Sequence, residues 1–226
     1  MKDFNFMKQK KEGSVRMSVN GHFIYTSADG ECSYASAQVP SMIEAFRNLI
    51  QEVKPVRVLE IGTFQGGTTI IIRDLLDEAG LQDSKIKSFD AYDNNWSNHL
   101  LNKDNLDIVV DNIFSESYFE LEKPEKVQPF IQQEGLTLVL CDGGYKISEF
   151  NLLSPFLKSG DIIMAHDYVD TKGNFESNFK DKIWNWREIG DEHVKKACEE
   201  NNLHAFHKEE MDKAVWACFR KEQHEL

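Results

Sequence analysis

Five short apolar runs in this chain end in a carboxylate or run directly into one, closing at Glu60, Asp90, Asp111, Asp142 and His166-Asp167. A carboxylate at such a position accepts charge-assisted hydrogen bonds from amines and hydroxyls, roughly twice as strong as neutral ones. Taken singly, each acid also has a plain structural reading, because Asp recurs just after strands as a helix cap or turn residue. Five in register on one edge say more, since ligands of an open parallel sheet bind outside the carboxyl ends of its strands.

The first acid opens the stretch Glu60-Ile61-Gly62-Thr63-Phe64-Gln65-Gly66-Gly67-Thr68-Thr69. A buried strand passes here through a tight turn into a helix. Gly62 allows a positive φ or a close ligand approach. Gly66, Gly67 and Thr68 leave free backbone N–H groups at the helix start, a seat for a carboxylate or phosphate. A dinucleotide fingerprint would need glycine where Phe64 stands, and a phosphate-cradling loop would need a lysine before Thr68. What remains is acid-x-Gly-x-x-x-Gly. The acid suits an ammonium and the helix start a carboxylate, which together fit an amino-acid zwitterion such as the methionine end of S-adenosylmethionine. Glu60, Gly62, Thr63, Gly66, Gly67 and Thr68 are the candidate contacts. An ordinary turn in any doubly wound protein has the same grammar.

The next two acids continue the series. Asp90, in Ser88-Phe89-Asp90-Ala91-Tyr92-Asp93, can take two hydrogen bonds from ribose hydroxyls, with Asp93 as a competitor. Asp111, followed by Asn112, can accept from the exocyclic amine of an adenine. Tyr92 or Phe114 is placed to flank the ring, and both are equally readable as core.

Bulk properties narrow the class. The chain has 226 residues, 26 basic against 38 acidic, for a net charge of −12, and is 41% hydrophobic. That length suits one α/β domain with a small extension. The acidic surface repels phosphate backbones and anionic lipid, which disfavours nucleic acid and membranes as partners. Cys32, Cys141, Cys198 and Cys218 have no metal-knuckle spacing, and reduced thiols in the cytoplasm are expected. No apolar run is long enough to cross a bilayer and no signal-peptide pattern is present.

Positioning of the acids follows from hydrophobic periodicity. Residues 15–19 and 22–26 alternate around Asn20-Gly21, a hairpin signal. Residues 26–37 read as a loop, and Ser41 as the N-cap of a helix with Ile43, Phe46, Leu49 and Ile50 on its apolar face. Strands are expected near 56–61, 85–90, 106–111, 136–141, 161–166, 203–208 and 214–219, with helices near 67–79, 116–133, 146–157 and 190–201. Such alternation implies a mainly parallel sheet with right-handed crossovers, and the short last connection implies an antiparallel final strand. Residues 168–187 lack periodicity and read as a lid or binding loop. Residues 1–37 are expected to form an N-terminal tail and β-hairpin extension, and 38–226 the main domain.

Glu60-x-Gly62, Asp90, Asp111 and Leu138-Val139-Leu140-Cys141-Asp142-Gly143-Gly144 resemble the successive motifs of class I S-adenosylmethionine-dependent methyltransferases. The stretch from Leu136 to Tyr168, with Leu157-Lys158-Ser159-Gly160 and His166-Asp167-Tyr168, is similar to the branch holding cephalosporin hydroxylase-like and sugar or macrolide O-methyltransferases. Gln38-x-Pro40 and the Gly66-Gly67 pair are similar to it as well. The resemblance covers about residues 38–220. It implies a Rossmann-like methyltransferase fold with a seven-stranded, mostly parallel sheet and an antiparallel last strand. It also implies S-adenosylmethionine as cofactor, with Gln38, Asn112 and Asp142 among its contacts, and O-methylation of a small-molecule hydroxyl.

The same resemblance implies a divalent cation, Mg2+ or another, held by Asp142, His166 and Asp167, where relatives usually carry an acid in place of His166. Sugar methyltransferases place a catalytic acid where this chain has Gly144, so the base has to be sought among His166, Lys146 and Tyr145. Asp142, Lys146 and His166 are the catalytic candidates. A hydroxylase-like member of the branch and a noncatalytic adenosyl-cofactor-binding subunit are the competing readings. The N-terminal hairpin is a plausible arm for a homodimer.

Overall fold

The computed structural model describes residues 13–17 and 23–223. The turn expected at Asn20-Gly21 lies outside the described residues. Two sheets organise the chain. The smaller one is antiparallel, ordered β1 (Ser14–Met17), β2 (Phe23–Thr26) and β3 (Ser33–Ser36), and it corrects the loop expected over 26–37. Tyr34 and Ser36 of β3 point inward, Ser33 is exposed, and Ala35 is half-buried. So short a run of small polar residues carries almost no strand signal, and β3 is selected by its pairing with β2.

The larger sheet holds β4 (Arg57–Ile61), β5 (Lys85–Asp90), β6 (Leu106–Val110), β7 (Thr137–Cys141), β8 (Ile162–His166), β9 (Leu203–Ala205) and β10 (Trp216–Lys221). Their order is β6-β5-β4-β7-β8-β10-β9. The first five are parallel, and β10 is antiparallel to both β8 and β9. Every residue of β4, β7 and β8 is buried, as strands covered on both faces require. The chain winds outward in one direction from β4 to β6 and in the other from β7, so the sheet opens between the carboxyl ends of β4 and β7. That switch point is where a doubly wound sheet leaves room for a ligand.

Helices α1 (Ser41–Val53), α2 (Gly67–Glu78), α3 (Asn98–Leu101), α4 (Pro124–Gln132), α5 (Lys146–Leu153), α6 (Lys172–Asn174), α7 (Asp191–Asn201) and α8 (Lys208–Lys213) complete the fold. In α1 the buried face is Met42, Ala45, Phe46, Leu49 and Ile50, an amphipathic stripe packed toward the sheet. Ser41 does not cap it: Pro40 occupies the N-cap, and Ser41 Oγ donates to the Lys213 carbonyl instead. The helix expected over 116–133 shrinks to α4. Pro124 sits in its first turn, and the α region is sterically disfavoured for the residue before a proline, so a helix cannot run through from 116. Between β9 and β10 the chain forms α8, which leaves β9 three residues long. Among the described residues no helix is long and apolar enough to cross a membrane.

The small sheet is fastened to α2. Tyr25 Oη donates to Asp74 Oδ2 at 3.0 Å, and a Cβ on Gly67 would lie 2.3 Å from the Ala35 carbonyl oxygen. Only glycine lets the start of α2 approach β3 this closely.

Candidate functional site

The β4–α2 turn is built on a buried acid. Glu60 is fully buried, and its Oε2 accepts from Thr69 Oγ1 at 2.6 Å and Ser88 Oγ at 2.5 Å, while Oε1 has no partner. Burial pushes its carboxyl up to about 7 despite those two bonds. Gly62 follows at φ +95°, and a Cβ there would stand 2.3 Å from the Asp142 carbonyl oxygen. Its glycine is therefore demanded by backbone, where β4 passes the end of β7, as well as by any ligand.

A cavity of about 420 Å³ opens above this turn. Its wall includes Gly62, Thr63, Gly67 and Thr68 from the turn, Asp90 after β5, Asp111 and Asn112 after β6, Asp142 after β7 and Asp167 after β8. Gln38 and Lys146 also reach it. Of the expected site residues, Glu60, Gly66 and His166 do not line it. Glu60 lies beneath the turn, and Leu100 covers Gly66. His166 lies behind Asp142, its ring between those of Trp184 and Trp216 at centroid distances of 5.2 and 5.1 Å.

Each rim acid has its partners. Asp90 accepts from the backbone N–H of Phe64 at 2.7 Å and of Tyr92 at 3.0 Å, which fixes it across the mouth of the turn. Asp111 holds the ammonium groups of both Lys123 and Lys126, which lower its pKa. An adenine amine would have to compete with these two cations, which weakens the role read for Asp111. Asn112 Oδ1 is turned to its own loop, accepting from Phe114 N at 3.1 Å. Beside them, Tyr118 stacks on Tyr145 at 4.1 Å and on Phe114 at 6.0 Å, giving the cavity an aromatic wall.

The far end of the cavity is a polar network. Gln38 Nε2 donates to Asp142 Oδ2 at 2.7 Å, and Gln38 Oε1 accepts from Trp216 Nε1 at 2.9 Å. His166 Nδ1 lies 3.1 Å from Asp142 Oδ1 and 3.6 Å from Asp167 Oδ1. Its Nε2 is buried without a partner, so the tautomer protonated on Nδ1 is the one that strands no N–H donor. Asp167, at φ +58°, accepts from Trp184 Nε1 at 2.6 Å on Oδ1 and lies 3.0 Å from Lys146 Nζ on Oδ2. Burial alone would lower the Lys146 pKa, but Asp142, Asp167 and Glu188 outweigh it and raise it. An ammonium held this firmly is a fixed positive charge, so the role of general base expected for Lys146 does not suit it.

One family model matches this chain over residues 32–222, and it is described as Rhamnosyl O-methyltransferase/CmcI. The chain belongs to that family. Membership carries the enzyme class, an O-methyltransferase. Solved structures of CmcI share the fold. The apo-structure has a TM-score of 0.57 at 13% identity, covering 81% of this chain and 72% of that one. A complex with SAH gives 0.54 at 13%, covering 81% and 78%. A complex with Mg and SAM gives 0.55 at 14%, covering 81% and 72%. No curated protein matches the chain.

Two residues of this family member, Glu149 and Glu188, were not singled out from its sequence. Glu149, almost fully buried, accepts from the N–H groups of Gly143 and Tyr145 at 3.1 Å each and so shapes the turn after Asp142. Burial raises its carboxyl to about 7. Its position on the apolar face of α5, with Phe150 and Leu153, was the available signal. Trp184 and Glu188 belong to the segment after β8, which contains α6 and a π turn, Phe175–Phe179, instead of pure loop. Phe175 and Phe179 anchor that segment in a small core with Val39, Val169 and Val215. Trp184 falls in the stretch expected to form a lid, whereas no sequence pattern marked Glu188 as part of the site.

Proposed function

We propose that the protein transfers the methyl group of S-adenosylmethionine to a hydroxyl oxygen of a small, uncharged molecule. The observation that carries the reading is the cavity at the switch point, bordered by the glycine turn, Asp90 and the Asp142–Asp167 pair. The zwitterionic tail would sit at the turn from Gly62 to Thr68, using the backbone N–H groups at the start of α2. The ribose would face Asp90, and the adenine the Tyr118–Tyr145 side. Rim carboxylates outnumber cations here, which favours a neutral acceptor over a phosphorylated one. A noncatalytic subunit would have no use for Lys146 buried among three carboxylates.

In the reaction, the acceptor oxygen attacks the methyl carbon in line with the sulfur, the C–S bond breaks, and the sulfonium becomes a neutral thioether. The hydroxyl proton leaves to a carboxylate on the cavity wall, Asp142 or Asp167. Catalysis comes mainly from alignment within a closed site. Trp184 and Trp186 of the segment after β8 line the cavity and would exclude water.

The cation implied by the resemblance fits part of the expected ligand set. Asp142 and Asp167 offer hard oxygen donors at the cavity wall. His166 fits poorly, because coordination through Nδ1 would leave an Nε2–H buried with no acceptor. Asp142 and Asp167 would therefore hold the ion, with His166 donating behind them. When bound, the ion would lower the pKa of the acceptor hydroxyl. Among the described residues, the group with ligand atoms within 4.8 Å of one another is Asp29, Glu31 and His99, away from the cavity. Lys103 already pairs with Asp29 there at 2.6 Å.

Residues 1–37 as an extension to a 38–226 domain, and its hairpin as a homodimer contact, remain part of the proposal. The deciding experiment is calorimetry of S-adenosylhomocysteine binding to the purified protein. Micromolar one-to-one binding is expected, and no detectable heat or thermal shift would refute the reading.

A further inference from the structure

We infer that Glu188 is a positioning residue that sets the Asp167 carboxylate of the methyl-transfer site by way of Lys146. The inference rests on the methyltransferase reading above.

Glu188 grips both ends of one residue. Its Oε1 accepts from the backbone N–H of Lys146 at 2.7 Å, and its Oε2 from the Lys146 ammonium at 3.1 Å. The ammonium also donates to the Gly143 carbonyl at 2.9 Å and meets Asp167 Oδ2 at 3.0 Å. Two of the ammonium's contacts are hydrogen bonds, to Glu188 and Gly143, and the third, to Asp167, is an ion pair. Lys146 is therefore held between Glu188, Gly143 and Asp167.

The consequence falls on Asp167. Its Oδ2 is held by Lys146, which Glu188 holds in turn, and its Oδ1 is held directly by Trp184. Trp184 and Glu188 are four positions apart on the segment after β8, and the Glu188 N–H also donates to the Asp167 carbonyl at 3.0 Å. One segment thus fixes both oxygens of a carboxylate on the cavity wall. Without Glu188, the strongest remaining pull on the ammonium would come from Asp142 and Asp167. The ammonium would then shift toward the space that the acceptor and the methyl group must share.

The test follows the indole N–H resonance of Trp184, assigned by its loss in Trp184→Phe, in proton–nitrogen NMR spectra of the full chain. Glu188→Gln removes the charge of a carboxylate bonded to Lys146, whereas the Trp184 indole N–H is bonded to Asp167. The expected result is a shifted Trp184 indole signal in Glu188→Gln and in Lys146→Met, with a partial return in Glu188→Asp. Affinity for S-adenosylhomocysteine, measured by calorimetry, should stay within threefold of the parent. An unmoved indole signal in folded Glu188→Gln overturns the inference. So does a shift in Glu188→Asp as large as in Glu188→Gln, because the charge would then be irrelevant. If Glu188→Gln does not fold, Lys146→Met and Glu188→Asp decide the matter by the same signal. Absence of homocysteine-nucleoside binding to the parent would instead remove the methyltransferase reading, leaving the Glu188–Lys146–Asp167 relay to be judged by the indole signal alone.

Discussion

Gln38 and Asp142, 104 positions apart, meet in a 2.7 Å hydrogen bond, with the Trp216 indole N–H closing the other side of the Gln38 amide. Gln38 is almost fully buried, so its amide has few alternatives to these two partners. It joins the segment before α1 to the end of β7 and to β10, and turns Asp142 toward the cavity.

Gln38→Leu should leave a buried indole N–H and one Asp142 oxygen without a partner. A loss of about 1–3 kcal/mol in unfolding free energy is expected for such orphaned groups. Urea unfolding of the variant checks the magnitude, and a change below about 0.5 kcal/mol, the range of an ordinary surface substitution, would show the bridge to be unimportant.

Gly62→Val should damage the fold and not the ligand site alone. The new Cβ would press on the Asp142 carbonyl at 2.3 Å in a left-handed backbone region that β-branched residues avoid. A fall in stability on the order of 3 kcal/mol or an insoluble product is expected. A soluble variant with the parent melting temperature would contradict this.

Glu60 and Glu149 set a pH dependence. Both are raised by burial to about 7 in the folded protein, above their value in an unfolded chain. The folded state then binds more protons than the unfolded one between about pH 4.5 and 7. This contribution to stability is full below that window and is lost as pH rises through 7. Its size is on the order of 3 kcal/mol per group. Glu149→Gln should therefore flatten the decline in melting temperature from pH 5.5 to 8. Parallel declines in parent and variant would rule out Glu149 as a source.

Chelation should slow methyl transfer without weakening S-adenosylhomocysteine binding, because the ion is proposed to sit on Asp142 and Asp167, beside the acceptor and away from the glycine turn. Added Mg2+ or Mn2+ should raise the melting temperature of the parent, and Asp167→Asn should abolish that rise. Equal rates with and without chelator would remove the ion from the mechanism.

Much of this molecule could be read along the chain. The buried runs at β4, β7 and β8 announce parallel strands because only a sheet covered on both faces tolerates five consecutive buried residues. Acids after parallel strands reach one rim by the geometry of the sheet, and Asp90, Asp111, Asp142 and Asp167 border one cavity, while Glu60, the fifth of the series, lies beneath it. Local periodicity decides which residues a strand buries and where it stops.

Side-chain partnership across the fold is not local, and there the chain alone was mute. Nothing in the sequence near Glu60 says that Thr69 and Ser88 will absorb its carboxylate beneath the turn. Lys146 looks like a solvated first-turn lysine until Asp142, Asp167 and Glu188 surround it. His166 sits at a strand end like the acids, but its ring packs against Trp184 and Trp216 and does not line the cavity. Motifs place backbone at the rim; burial and the long-range pairing of charges, which depend on every packed neighbour, determine which side chains face the cavity and in what charge state.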